Sequence, residues 1–160
     1  MVAIMTRRVD GGRQMRMSTK GRYGLRVMME LAGHYGRGPM PVDAIARNQG
    51  ISGKYIHILV MGLRSAGLVR TVRGPSGGYE LTKAPAAITA LDVVSALEGR
   101  SVPVECVADT ASCPRAGRCA ARDVWCDVAS AVDGVLSALT LEQLAAKQSA
   151  MAEELPSYCI

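Results

Sequence analysis

Apolar side chains recur at three- and four-residue intervals along most of this chain, the spacing of one helix face. From Ser18 or Thr19 to about Tyr35 the stripe is Leu25, Met28, Met29, Leu31 and Ala32, and Gly36, Gly38 and Pro39 stop it. Val42, Ile45 and Ala46 mark a short second helix, which breaks at Asn48-Gln49-Gly50. Ser52 then caps a third helix over about Gly53 to Ala66, with Tyr55, Ile56, Leu59 and Leu63 as its inner face. The period next shortens. Leu68 to Arg73 reads as a strand, Gly74 to Gly78 as a turn and Tyr79 to Thr82 as the return strand. After Pro85, Ile88-Thr89-Ala90-Leu91-Asp92 carries the marks of a helix start: Thr89 as N-cap, Asp92 reaching back, Ile88 stapling to Val93. That helix is expected to bury Leu91, Val94 and Leu97 and to end at Gly99. A longer helix is expected over Asp123 to Ala138, with Val124, Trp125, Val128, Val132, Val135 and Leu139 on one broad side. Thr140 and Gln143 form a capping box for a last helix, through about Met151.

The order is helix, glycine turn, helix, hairpin. It predicts a mainly α fold with a small β-hairpin wing, a winged helix-turn-helix, followed by a C-terminal dimerisation helix. The expected division is an N-terminal extension at 1–14, a DNA-binding domain at 15–84 and a linker helix at 85–100. A cysteine-rich loop at 101–122, dimerisation helices at 123–152 and a tail at 153–160 follow. On the third helix the stripe opposite the core is Lys54, His57, Met61 and Arg64. Ser52, Lys54, Tyr55 and His57 lie in its first turns, where a reading helix meets base edges. Arg73 and Ser76 sit among the glycines of the wing tip, which suits a narrow minor groove. Lys20, Arg22 and Arg26 cluster at the start of the first helix, where the helix dipole disfavours cations and phosphate contact supplies a reason for them. The candidate DNA contacts are therefore Lys20, Arg22, Ser52, Lys54, Tyr55, His57, Arg64, Arg73 and Ser76.

Charge sharpens this reading. Residues 1–83 hold 14 of the 19 Lys and Arg but only 4 of the 14 Asp and Glu, so that half is +10 and the rest −5. A basic module beside an acidic one implies a polyanion partner for the first, here double-stranded operator DNA. Apolar content of 49% supports a real core, yet no run is long enough for a membrane span. The start, M-V-A-I-M-T-R-R, lacks the apolar region of a signal peptide, so a cytoplasmic protein is expected. No phosphate loop and no H-E-x-x-H is present, and the two histidines, His34 and His57, lie far from the cysteines. An enzyme and a small-molecule substrate are not expected.

The five cysteines are an odd count, unsuited to a disulfide scaffold. Cys106, Cys113, Cys119 and Cys126 are separated by six, five and six residues, in a stretch with Pro114, Gly117 and no helical or strand period. Thiols on one loop can converge without long-range folding, and thiolates select iron–sulfur clusters or zinc. Tight C-x2–4-C pairs, usual for zinc, are missing. Arg115, Arg118 and Arg122 among the thiols favour the thiolate form. Cluster, zinc and unrelated buried thiols all remain open on spacing alone.

M-R-M-S-T-K-G-R-Y-G at 15–24, G-I-S-G-K-Y-I at 50–56, V-R-G-P-S-G-G-Y at 72–79, I-T-A-L-D-V-V-S-A-L-E-G at 88–99 and three cysteines before D-V-W resemble the IscR/NsrR/CymR group of bacterial winged-helix regulators. The likeness runs from Met15 to about Ala150 and is nearest to the iron–sulfur cluster regulators of the group. It implies a homodimer on operator DNA, with a C-terminal helix crossing between subunits. It also implies an iron–sulfur cluster, [2Fe–2S] favoured and [4Fe–4S] as the alternative, on Cys106, Cys113 and Cys119. The group's cluster-free members imply a second function: a thiol-redox or partner-controlled repressor of sulfur or cysteine metabolism. The pattern departs where the cluster branch has a His three residues after the third cysteine, here Arg122, and where some relatives carry an acid, here Arg22. Cys126 is the candidate fourth ligand, with Asp123 and Glu30 behind it.

Overall fold

The computed structural model describes residues 18–99 and 102–153. The expected extension at 1–14 and the tail beyond Glu153 lie outside the described residues. Helix α1 (Thr19–Gly33) starts where Ser18 Oγ accepts the Lys20 N–H at 3.1 Å. It buries Val27, Met28, Leu31 and Ala32, while Leu25 and Met29 are only partly covered. Helix α2 (Val42–Gln49) ends on Gly50, whose φ of 62° is the left-handed cap that the Asn-Gln-Gly break predicted. Helix α3 (Gly53–Ser65) buries Ile56, Leu59, Val60 and Leu63. Tyr55, expected on that inner face, is instead half-buried at its edge.

Strands β1 (Val69–Val72) and β2 (Gly78–Leu81) pair antiparallel in the register Val69–Leu81 to Val72–Gly78, so the first strand is one residue shorter at each end than the pattern suggested, and the second is shifted by one, gaining Gly78 and losing Thr82. Its outer edge is not left open. Met40, just before α2, exchanges two backbone hydrogen bonds with Tyr79, at 2.8 and 2.9 Å. A Cβ on Gly78 would run into the Met40–Pro41 backbone, so glycine is what lets α2 and the wing approach this closely.

Helix α4 (Ala90–Glu98) has the full capping box between Thr89 and Asp92. Val93 and Val94 are buried, and Ile88 is fully covered beside Val93, as a staple requires. Leu91 and Leu97, expected in the core, are half-buried. Leu97 nevertheless reaches into a notch between α1 and α3, where Gly24 and Gly62 carry no side chain to obstruct it. The segment after Gly99 departs from the structureless loop expected. It contains a single helical turn, α5 (Glu105–Ala108), then 3-10 turns at Thr110–Ser112 and Ala116–Arg118. Helix α6 spans Ala120–Ser137, beginning three residues before the expected Asp123. Helix α7 (Leu141–Glu153) follows the Thr140–Gln143 capping box, both of whose hydrogen bonds are present at 3.0 and 3.3 Å. It returns to the reading domain. Leu141 is fully buried, Ala90 donates to Leu139 O and Leu141 to Ile88 O, and α7 packs along α1. Helix α6 behaves oppositely and buries none of its residues within the chain.

Candidate nucleic-acid interface and cysteine segment

Helix α3 owes its start to Ser52, whose Oγ accepts the Tyr55 N–H at 3.3 Å. That hydroxyl is therefore partly used inside the helix. Lys54, His57, Met61 and Arg64 are all exposed on the face away from the core, as their spacing requires. Ile58 joins them at 48% exposed, beside Met61 at 63%. An exposed aliphatic on a reading helix suits a thymine methyl. Nothing along the chain signals it, because a lone isoleucine in an apolar stretch reads as core. His57 is also not free on both sides: its Nδ1 lies 2.5 Å from the Tyr79 hydroxyl of β2. Burial pushes the Tyr79 phenol above its ordinary value, and the nearby Arg64 guanidinium works against that.

The other cations divide into available and engaged. Lys20 and Arg22 are exposed at the start of α1, close to Tyr55 through Tyr23. The Tyr23 and Tyr55 rings meet edge to face at 6.0 Å, and Arg22 stacks 5.0 Å from the Tyr23 centroid. Arg26 is tied down by hydrogen bonds to Gln49 Oε1 (3.1 Å) and Gln49 O (2.6 Å), clamping α1 to the end of α2. On the wing, Arg70 pairs with Glu80 directly across the strands at 2.7 Å. Arg73 and Ser76 stay exposed at the tip. The candidate contacts thus fall on three neighbouring features: the first turn of α1, the outer face of α3 and the wing tip.

One further group links this face to the cysteines. Glu98, the last residue of α4, accepts from Ser18 Oγ and from the Gly21 N–H, both at 2.9 Å. A carboxylate on the free N–H groups of α1 is favoured both as a cap and by the helix dipole. It holds the turn that bears Lys20 and Arg22 to the point where the chain leaves for the cysteine segment.

In that segment Cys106 lies in α5, Cys113 between the two 3-10 turns, Cys119 at the N-cap of α6 and Cys126 in its second turn. All four are free and half-buried. Three thiols on one stretch fit an iron–sulfur group in donor chemistry. Among the described residues no three His, Cys, Asp or Glu side chains stand close enough to share a metal. Glu30, one fourth-ligand candidate, has its two oxygens on Asn48 (2.6 Å) and Gln49 (2.5 Å). Arg122 has a different task, donating from Nε to Cys106 O at 2.8 Å and so bracing α5 against α6. No helix among the described residues is long and apolar enough to cross a membrane.

A family model described as Rrf2, iron-dependent transcriptional regulator, matches residues 17–147. The chain belongs to the Rrf2 family of transcriptional regulators. Among Rrf2 relatives, the HTH-type transcriptional regulator CymR of Bacillus subtilis is 45% identical over 131 residues, covering 82% of this chain and 90% of CymR. The solved structure of that protein, described as the global cysteine regulator, superposes with a TM-score of 0.70 at 43% identity, covering 84% of this chain and 98% of CymR. The T. potens IscR structure gives a TM-score of 0.71 at 34% identity, covering 92% of this chain and 98% of that one. These Rrf2 proteins carry names of regulators, not of enzymes, and they establish the helical fold with its two-stranded wing.

Proposed function

We propose that this Rrf2 protein reads operator DNA as a homodimer, and that the state of its cysteine segment sets its affinity. The observation that carries the reading is the outer face of α3, where Lys54, His57 and Arg64 stand exposed beside a wing whose tip offers Arg73. Exposed hydrogen-bond donors and the positive charges of Lys54 and Arg64 on a helix that fits the major groove, flanked by a small glycine-bearing tip, are the chemistry a duplex requires. Lys20, Arg22 and Ser76 serve the phosphates on either side, and Ser52 and Tyr55 hold the helix start. Dimerisation places two such faces one helical turn apart on a symmetric site. Fluorescence anisotropy with duplexes selected from a random library tests this; no preference over random DNA at low ionic strength overturns it.

Control from the cysteine segment takes one of two forms. An iron–sulfur cluster on Cys106, Cys113 and Cys119, [2Fe–2S] favoured and [4Fe–4S] as the alternative, with Cys126 as candidate fourth ligand, is supported by the donor set and by the family's description as iron-dependent. Thiol or partner control without a cluster, in a repressor of sulfur or cysteine metabolism, is favoured by the separation of the thiols and by the likeness to a cysteine regulator. In either form Glu98 is the route by which the segment reaches the reading face, through its hydrogen bonds to α1. Anaerobic reconstitution followed by iron, sulfide and zinc quantification separates the two. Visible absorbance with matched iron and sulfide, lost in Cys106→Ala, supports the cluster. Colourless protein whose affinity follows thiol oxidation supports the second form.

A further inference from the structure

Tyr79 sits in β2 at 7% exposed, and its ring meets His57 edge to face, with centroids 5.9 Å apart and an interplanar angle of 80°. The hydroxyl lies 2.5 Å from His57 Nδ1, and among the described residues it makes no other hydrogen bond. Burial keeps the phenol protonated, so it has one O–H to donate. Arg64, its charged neighbour, is donor-only and cannot take that proton in a hydrogen bond. Among the described residues the one acceptor in reach is Nδ1, and Nδ1 accepts only when the proton of the neutral imidazole is on Nε2. In the opposite tautomer an Nδ1–H would face the phenol oxygen, and the phenol proton of a covered side chain would have no acceptor, which is costly.

We infer that Tyr79 is a positioning residue that fixes His57 in the Nε2–H tautomer and thereby makes it a hydrogen-bond donor toward DNA. Nδ1 is occupied, and Nε2 is the nitrogen an exposed His57 presents. A donor there suits the paired acceptors N7 and O6 of guanine best, meets a single acceptor on adenine (N7) or thymine (O4), and opposes the amino group of cytosine. The wing thus does more than touch the backbone: a residue of its second strand decides what the reading helix asks of a base. This deepens the DNA-reading function proposed above and rests on it.

Long-range 1H–15N correlation at about pH 8, where imidazole is ordinarily neutral, reads the tautomer in the free protein. The chain has only two histidines, and His34→Asn assigns them. Wild type is expected to show a protonated Nε2 and a bare Nδ1 at His57. Tyr79→Phe, which keeps the ring, is expected to show a mixture. On duplexes chosen by selection from a random library, wild type is expected to prefer guanine at the contacted position by about tenfold. Tyr79→Phe is expected to lose most of that preference while binding random DNA as before. A protonated Nδ1 in wild type, or full guanine preference in Tyr79→Phe, overturns the inference. If wild type selects no sequence at all, the DNA-reading function itself fails, and the inference with it, whichever tautomer is found.

Discussion

Arg70 and Arg73 sit three residues apart on the wing, yet only one has its charge free. Arg70 faces Glu80 at 2.7 Å, while Arg73 is exposed at the tip. Arg73→Ala is therefore expected to lower the slope of log affinity against log salt by about 1, as loss of one phosphate contact does. Arg70→Ala is expected to change it much less. Salt titration of the two variants on one duplex checks this. Glycines divide in the same way. A Cβ on Gly78 meets main chain at Met40, which cannot move without disturbing α2. Gly78→Ala should cost about 3 kcal/mol in urea unfolding. At Gly24 the obstruction is the end of the Leu97 side chain, which can rotate. Residue identities made every candidate contact visible in the sequence, but not which were engaged: the partners Gln49, Glu80 and Tyr79 lie 23, 10 and 22 residues from Arg26, Arg70 and His57.

Four helix starts and two helix ends that the sequence marked with a local device are found where the device sits, while α1 stops at Gly33, short of the glycines expected to end it. Ser18, Ser52, Thr89 and Thr140 all start helices through their own hydroxyls, and Gly50 and Gly99 close α2 and α4 with positive φ. Such signals survive folding because both partners are within a few residues of each other. Thr89→Ala should cost about 1 kcal/mol, seen as a lower denaturation midpoint, because α4 loses its box while its buried face is unchanged. The cap at the other end of α4 is not local. Glu98 caps α1 from 77 and 80 residues away, and nothing in the pattern around Glu98 announces it. Glu98→Ala is expected to cost about 1 kcal/mol of stability and, more tellingly, to uncouple DNA affinity from the state of the cysteine segment. Comparing reduced and oxidised, or apo and reconstituted, protein with and without the substitution measures this.

At the scale of the molecule the uncovered helix is α6. Val124, Trp125 and Val135 are 57, 40 and 63% exposed, Leu139 just beyond the helix is 37% exposed, and no residue of α6 is fully buried within its own chain. A second copy of the same surface satisfies such a stripe with two-fold symmetry. Val135→Glu should convert a dimer to monomer in sedimentation and lower operator affinity at least tenfold, because two tethered readers become one. Helix α7, by contrast, closes on α1 of its own chain, with Leu141 fully buried. The candidate DNA contacts all lie in the basic half of the chain, so the affinity of the whole protein should fall steeply with salt.

The helices, the wing, the caps and the outward stripe of α3 are legible in the residues alone, since each depends on spacing within a few turns. The motifs are enough to point to the family. Which of the two C-terminal helices folds back, which arginines remain free and what the hydroxyl of Tyr79 does to His57 are settled by packing in three dimensions. Those outcomes turn on contacts between residues distant along the chain, and distance along the chain carries no record of proximity in space.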